Sequence, residues 1–174
     1  MPQTRVLQKK VCLLGSFAVG KTSLIRRFVE GRFDDRYLSS IGVKISRKTI
    51  ALPELTINMI LWDLAGGDEF DGVQANYLQG TAGAMIVCDL TRNETLDSWI
   101  YYAKRLHEIN PRARIVLIAN KCDLTEERRI SDEELDATAR ATDAITPAIF
   151  LASAKTGVGV EKAFAHLAEQ LAED

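Results

Sequence analysis

Cysteine is scarce in this chain: Cys12, Cys88 and Cys122 are the only three in 174 residues. The number is odd and each sits in or just after an apolar run. They read as buried free thiols of a reducing compartment rather than as a disulfide framework. Their separation gives no zinc-ligand pattern either. No run approaches the roughly 18 apolar residues that a membrane span requires, and the start Met1-Pro2-Gln3-Thr4-Arg5 lacks the apolar centre of a secretory signal. The tail from Ala168 to Asp174 has no cysteine, so no prenylated C-terminus and no intrinsic membrane anchor are expected. A charge excess is missing as well, since 22 basic residues face 24 acidic ones; nothing in that balance draws in nucleic acid or anionic lipid. Repeats, long linkers and low-complexity tracts are also absent. The expected product is soluble and cytoplasmic, reaching a membrane only through a partner or a segment outside this chain.

What is present suits a compact α/β unit. A hydrophobic share of 47% over this length is enough for a sheet covered on both sides by helices, and residues 1–174 are read as one domain. Val6, Leu7, Val11, Leu13 and Leu14 predict a first strand, with Gln8-Lys9-Lys10 at its exposed approach. Lys21 to Glu30 predicts a helix stopped by Gly31, whose Arg26-Arg27 pair reads as solvated. Segments 41–52 and 55–61 predict two strands joined at Pro53-Glu54. Residues 73–78 predict a short helix and 84–88 a buried strand. Asn93 is the expected cap of a helix carrying Leu96, Trp99, Ile100, Ala103 and Leu106. Ile115 to Ala119 has no polar alternation, as befits a central parallel strand. Ser131-Asp132-Glu133-Glu134 has capping-box spacing; a short strand at 148–151 and an amphipathic helix from Val160 to Leu171 complete the chain. The expected fold is a three-layer α/β domain with a six-stranded, mostly parallel sheet and one antiparallel edge strand.

Chemistry concentrates in four short stretches. Gly15-Ser16-Phe17-Ala18-Val19-Gly20-Lys21-Thr22 has the spacing G-x-x-x-x-G-K-T between a predicted strand and a predicted helix, the setting of a phosphate-binding loop. Loop and helix-start amides, Ser23 included, can surround phosphates, Lys21 can reach the outer ones, and the Thr22 hydroxyl suits magnesium. Asp63 ends an apolar strand and opens Asp-x-x-Gly, from which a carboxylate can hold the same ion; Gly66 can turn its amide toward the terminal phosphate. In Asn120-Lys121-Cys122-Asp123, the Asp123 carboxylate can accept from the N1–H and exocyclic amine of guanine, a donor pair that adenine lacks. The Lys121 stem can cover the purine, and Asn120 can tie this turn to the phosphate loop. Ser153-Ala154-Lys155 adds a backbone donor for the guanine O6.

With these residues in this order, the chain closely resembles the small GTPases of the Ras superfamily, especially its Rab- and Ras-like members, from Val11 to Leu171. The resemblance implies GTP or GDP and Mg2+ as ligands. It also implies Phe33 against the base, Tyr37 closing over the phosphates, and Ser40 as a magnesium-sensing hydroxyl where relatives have threonine. Two switch segments, about 34–43 and 65–77, would meet an effector, a GTPase-activating protein and an exchange factor. Ile41, Trp62, Phe70 and Tyr77 would form an effector-facing patch, with Trp62 its most exposed member. A prokaryotic relative is one reading of the compact chain.

Two departures concern hydrolysis. Gly67 stands where most relatives carry the glutamine that orients the attacking water. Phe17 stands at a loop position that relatives keep small, and its ring can crowd that water and an arginine supplied in trans. Lys21, Gly66 and Gly67 are the candidate hydrolytic positions, with Asp68 and Glu69 as weaker substitutes for the glutamine. The resulting expectation is slow intrinsic hydrolysis of GTP to GDP and phosphate, raised by a partner. Two alternatives stay open. One is a pseudoGTPase scaffold that holds the nucleotide without useful turnover; the other is an ATP-dependent small-molecule kinase, against which Asp123 speaks.

Overall fold

The computed structural model describes residues 3–34, 43–64, 74–144 and 147–173, without the side chains of residues 74 and 75. Six strands form one sheet: β1 (Arg5–Gly15), β2 (Val43–Ala51), β3 (Leu55–Leu64), β4 (Gly83–Asp89), β5 (Arg114–Asn120) and β6 (Ala148–Leu151). Their order across the sheet is β2-β3-β1-β4-β5-β6. β2 pairs antiparallel with β3, and every other pairing is parallel. Among the described residues, four α-helices lie in the connections, α1 (Lys21–Glu30), α2 (Gln74–Leu78), α3 (Ser98–Ile109) and α4 (Asp132–Ala141), and α5 (Val160–Ala172) follows β6. This is the expected α/β architecture with a single antiparallel edge strand.

The three layers follow from the apolar pattern of the strands. Successive side chains point to opposite faces, so a strand covered on both sides must be apolar throughout. Val11 and Leu13 of β1, Met85 and Val87 of β4 and Val116 and Ile118 of β5 pack with Leu24 and Phe28 of α1 and Phe164, Leu167 and Leu171 of α5. The intervening residues Cys12, Leu14, Ile86, Cys88, Ile115 and Leu117 pack on the other face with Trp99 and Leu106 of α3 and Leu135 of α4. The Phe28 and Phe164 rings stack with centroids 3.9 Å apart and close α1 against α5. β3 alternates instead: Ile57, Met59, Leu61 and Asp63 are buried, while the residues between them are half-covered. The edge strand β2 has no fully buried residue, and Lys44 and Arg47 stand exposed on it.

Several expectations need correction. Cys12 and Cys88 are buried, and burial pushes the Cys88 thiol up to about 12, but Cys122 is only half-buried. The helix expected from Asn93 begins at Ser98. Asn93–Thr95 instead forms a single 3-10 turn. The Thr95 hydroxyl explains this: it accepts from the Asp89 amide and lies within hydrogen-bonding distance of the Asp89 and Arg92 carbonyls, fixing the chain before the helix starts. Lys10 is not a solvated approach residue, because β1 is central and its ammonium donates to the Tyr77 and Gln79 carbonyls at 2.5 and 2.8 Å.

The capping box forms as spelled. Ser131 Oγ accepts from the Glu134 amide while the Glu134 carboxylate accepts from the Ser131 amide. Ser131→Ala should therefore lower the unfolding free energy by about 1 kcal/mol, read from urea denaturation with an unchanged slope.

Candidate functional site

The sheet gathers the four motifs at one edge. Gly15, Asp63, Asn120 and Leu151 each lie at or next to the C-terminal end of a parallel strand, where ligands of open α/β sheets bind. The chain leaves β1 toward β3 and later crosses back to β4 on its other side, so the end of β1 lies where the connections diverge.

The loop between β1 and α1 is held by its carbonyls. Lys21 Nζ donates to the Gly15 and Ser16 oxygens at 3.0 and 3.1 Å. Arg92 Nη2 donates to the Phe17 oxygen at 2.6 Å, Lys121 Nζ to that of Ala18 at 3.2 Å, and Asn120 Nδ2 to that of Val19 at 2.9 Å. The Leu24 amide takes the Gly20 oxygen in the first turn of α1. Six successive carbonyls are thus engaged. The polar groups such a loop has left to offer are N–H donors, which is what an anion requires. Ala18 adopts a positive φ of 61°, and the Phe17 ring stands 54% exposed.

Lys21 is 6% exposed. Burial lowers its pKa to about 8, nearby Asp63 opposes that shift and nearby Arg92 adds to it. An anion against this ammonium would favour its charged form. Thr22 Oγ1, at the start of α1, donates to Asp63 Oδ2 at 2.5 Å, and Asp63 is buried at the end of β3. One hydroxyl and one carboxylate, both hard oxygen donors beside an anion-binding loop, fit Mg2+, which keeps several waters and shares phosphate oxygens rather than filling an all-protein cage.

Asn120 joins this end to the next. While its Nδ2 holds Val19, its Oδ1 accepts from the Ala154 amide at 3.3 Å. Asp123 Oδ1 accepts from Ser153 Oγ at 2.8 Å, so the two turns after β5 and β6 are bound to each other. Lys121 has a φ of 68° and Lys155 lies beyond Ala154 in the same turn as Ser153. Phe33 is half-buried against the α1/α5 core.

Sequence reading missed three contributors. Asp89, buried at the end of β4, accepts from Lys121 Nζ at 2.8 Å, Arg92 Nε at 3.1 Å and the Thr91 amide and hydroxyl. Burial alone would raise its pKa, but these donors outweigh it and hold the carboxyl below its ordinary range. Arg92 then reaches the loop from this carboxylate. Arg27, expected to be solvated, donates from α1 to the Ala154 carbonyl at 2.8 Å and also to that of Lys155. An acid ending an apolar strand, Asp89 after Val87-Cys88, was the one available signal and repeats the pattern of Asp63.

Tyr37, Ser40, Gly66 and Gly67 lie outside the described residues, as do Ile41, Asp68, Glu69 and Phe70. Of the apolar patch, Trp62 and Tyr77 are described. Trp62 is half-buried rather than prominent, its ring 6.2 Å from that of Tyr77 and 3.9 Å from Lys10 Nζ.

Comparison with known proteins agrees with this arrangement. The profile of the Ras family matches residues 10–173. The Mus musculus Ras-related protein Rab-22A is 33% identical over 163 residues, covering 93% of this chain and 82% of its own. Ras-related protein Rab-31 of the same species is 32% identical over 167 residues, covering 95% and 84%. The Homo sapiens Rab-22A has 33% identity over 163 residues, with 93% and 82% covered. These relatives are mammalian and lend no support to a prokaryotic origin. The chain belongs to the Ras family, whose fold binds and acts on guanine nucleotides.

Proposed function

We propose that residues 1–174 form one G domain working as a GTP/GDP switch with slow intrinsic hydrolysis. The observation that carries this is Asn120, whose single amide bonds both the phosphate loop and the Ala154 turn. Phosphate and base recognition thereby become one contiguous site. Loop amides and Lys21 would hold the phosphates, Asp123 and the Ala154 amide the guanine, and Phe33 and Tyr37 its flanks. Thr22, Asp63 and Ser40 would hold magnesium. When bound, that ion neutralises charge on the phosphate oxygens.

Hydrolysis needs a water placed in line with the γ-phosphate, and the chain is poorly equipped to place it. Gly67 has no side chain for the task. The exposed Phe17 ring belongs to the phosphate loop, where it can crowd that water. Lys21 can still stabilise charge developing on the phosphate, so a partner supplying the missing group could restore the rate. Effector, activating protein and exchange factor would meet segments 34–43 and 65–77. No described helix is long and apolar enough to cross a membrane.

Single-turnover phosphate release from GTP-loaded protein with magnesium tests the reading. The parent should be slow, and Gly67→Gln or Phe17→Gly should raise its rate by about a hundredfold, the scale of one well-placed catalytic contact. Tight guanine-nucleotide binding with no release from the parent or either variant would instead indicate the pseudoGTPase scaffold, the reading that Gly67 and Phe17 favour.

A further inference from the structure

Five of the six engaged loop carbonyls are held by the loop's own lysine, its helix or the base-binding turn. The Phe17 carbonyl is the exception: its donor, Arg92, comes from the segment after β4. That arginine is itself oriented by the buried Asp89 through Nε, and Asp89 also binds Lys121, which holds the neighbouring Ala18 carbonyl. One carboxylate thus aims two cations at two consecutive carbonyls of the loop. The segment is rigid, because Thr91 closes back on Asp89 and Thr95 locks the following turn.

We propose that Arg92 is a positioning residue for the phosphate subsite, controlling how long the nucleotide stays bound; this rests on the guanine-nucleotide reading above. With its carbonyl held outward by Arg92, the Phe17–Ala18 peptide unit must present its N–H on the opposite side, since the two groups of a planar trans unit point apart. Releasing the carbonyl lets that unit rotate, replacing a donor to phosphate by an acceptor that repels it. The guanidinium also keeps a cation beside the loop while its fork satisfies two acceptors at once. The Arg92 side chain is 34% exposed, and without it the buried Asp89 would keep Lys121 and Thr91 as donors, so its removal should act on ligand retention more than on the core.

The test is the release rate of a fluorescent GDP analogue from magnesium-loaded protein chased with excess GDP. Arg92→Ala should release it about tenfold faster, the scale of one charge-assisted hydrogen bond to the loop. Arg92→Lys, which keeps a cation but loses the fork, should recover part of the difference. If Arg92→Ala does not fold, Arg92→Gln serves as the neutral variant under the same criteria. A neutral variant that releases within twofold of the parent overturns the proposal, and so does a lysine variant as fast as the neutral one. A parent that binds no GDP overturns the guanine reading and this inference together; tight parental binding with unchanged release in the neutral variant overturns this inference alone.

Discussion

Asp123→Ala should weaken binding of both GTP and GDP by about a hundredfold to ten-thousandfold. Two hydrogen bonds from neutral donors to a carboxylate are at stake, each worth about 1.5–3 kcal/mol when the acceptor is charged. The loss should be specific to the base edge. Inosine triphosphate lacks the exocyclic amine, so the parent should prefer GTP to it by about tenfold or more, and the alanine variant should not distinguish them. Titration calorimetry of the four combinations measures this directly. Part of the loss would come from the protein itself, because Asp123 also accepts the Ser153 hydroxyl and its removal leaves that turn less firmly joined to its neighbour. Ser153→Ala separates the two contributions: a fall as large as that of Asp123→Ala would show that the carboxylate acts on the turn and not on guanine.

Gly20→Ala should cripple the phosphate loop through Asn120. Gly20 has a φ of 103°, and a Cβ there would lie 2.3 Å from Asn120 Nδ2. Asn120 would have to abandon the Val19 carbonyl, and with it the alignment of its oxygen with the Ala154 amide. Backbone strain of about 1–2 kcal/mol and a broken buried hydrogen bond of about 1–3 kcal/mol together predict a stability loss of about 2–5 kcal/mol in urea denaturation, with nucleotide binding lost. Gly80→Ala provides the control. Gly80 also has a positive φ, 73°, but no atom lies within 4 Å of its added Cβ, so only the strain of about 1–2 kcal/mol should appear. Equal losses at the two positions would mean that the Asn120 contact contributes nothing.

The motifs were legible because each is a local pattern with its own chemistry. The two-sided sheet was legible for a related reason: strands β4 and β5 are apolar without interruption, while β3 alternates. What escaped is long-range. Nothing near Arg27 in sequence reveals that its guanidinium meets Ala154 and Lys155, or that Lys10 grips the end of α2. A charged residue in a predicted helix or strand reads as solvated until the fold brings carbonyls to it. Asn93 misled for the opposite reason. It is a good helix cap locally, but the Thr95 hydroxyl, anchored on the Asp89 backbone, had already fixed that turn. Arg92 shares that segment and was hidden with it.

The two rims of the sheet are treated unequally. β6 offers only four residues to a newcomer, whereas β2 runs for nine with its outer side open among the described residues. A long uncovered rim is a template on which identical molecules can stack into fibrils. Lys44 and Arg47 project from it, and a second copy laid alongside would have to bring like charges together and strip them of water. Lys44 and Arg47 thus make the open rim of β2 a poor template for its own kind.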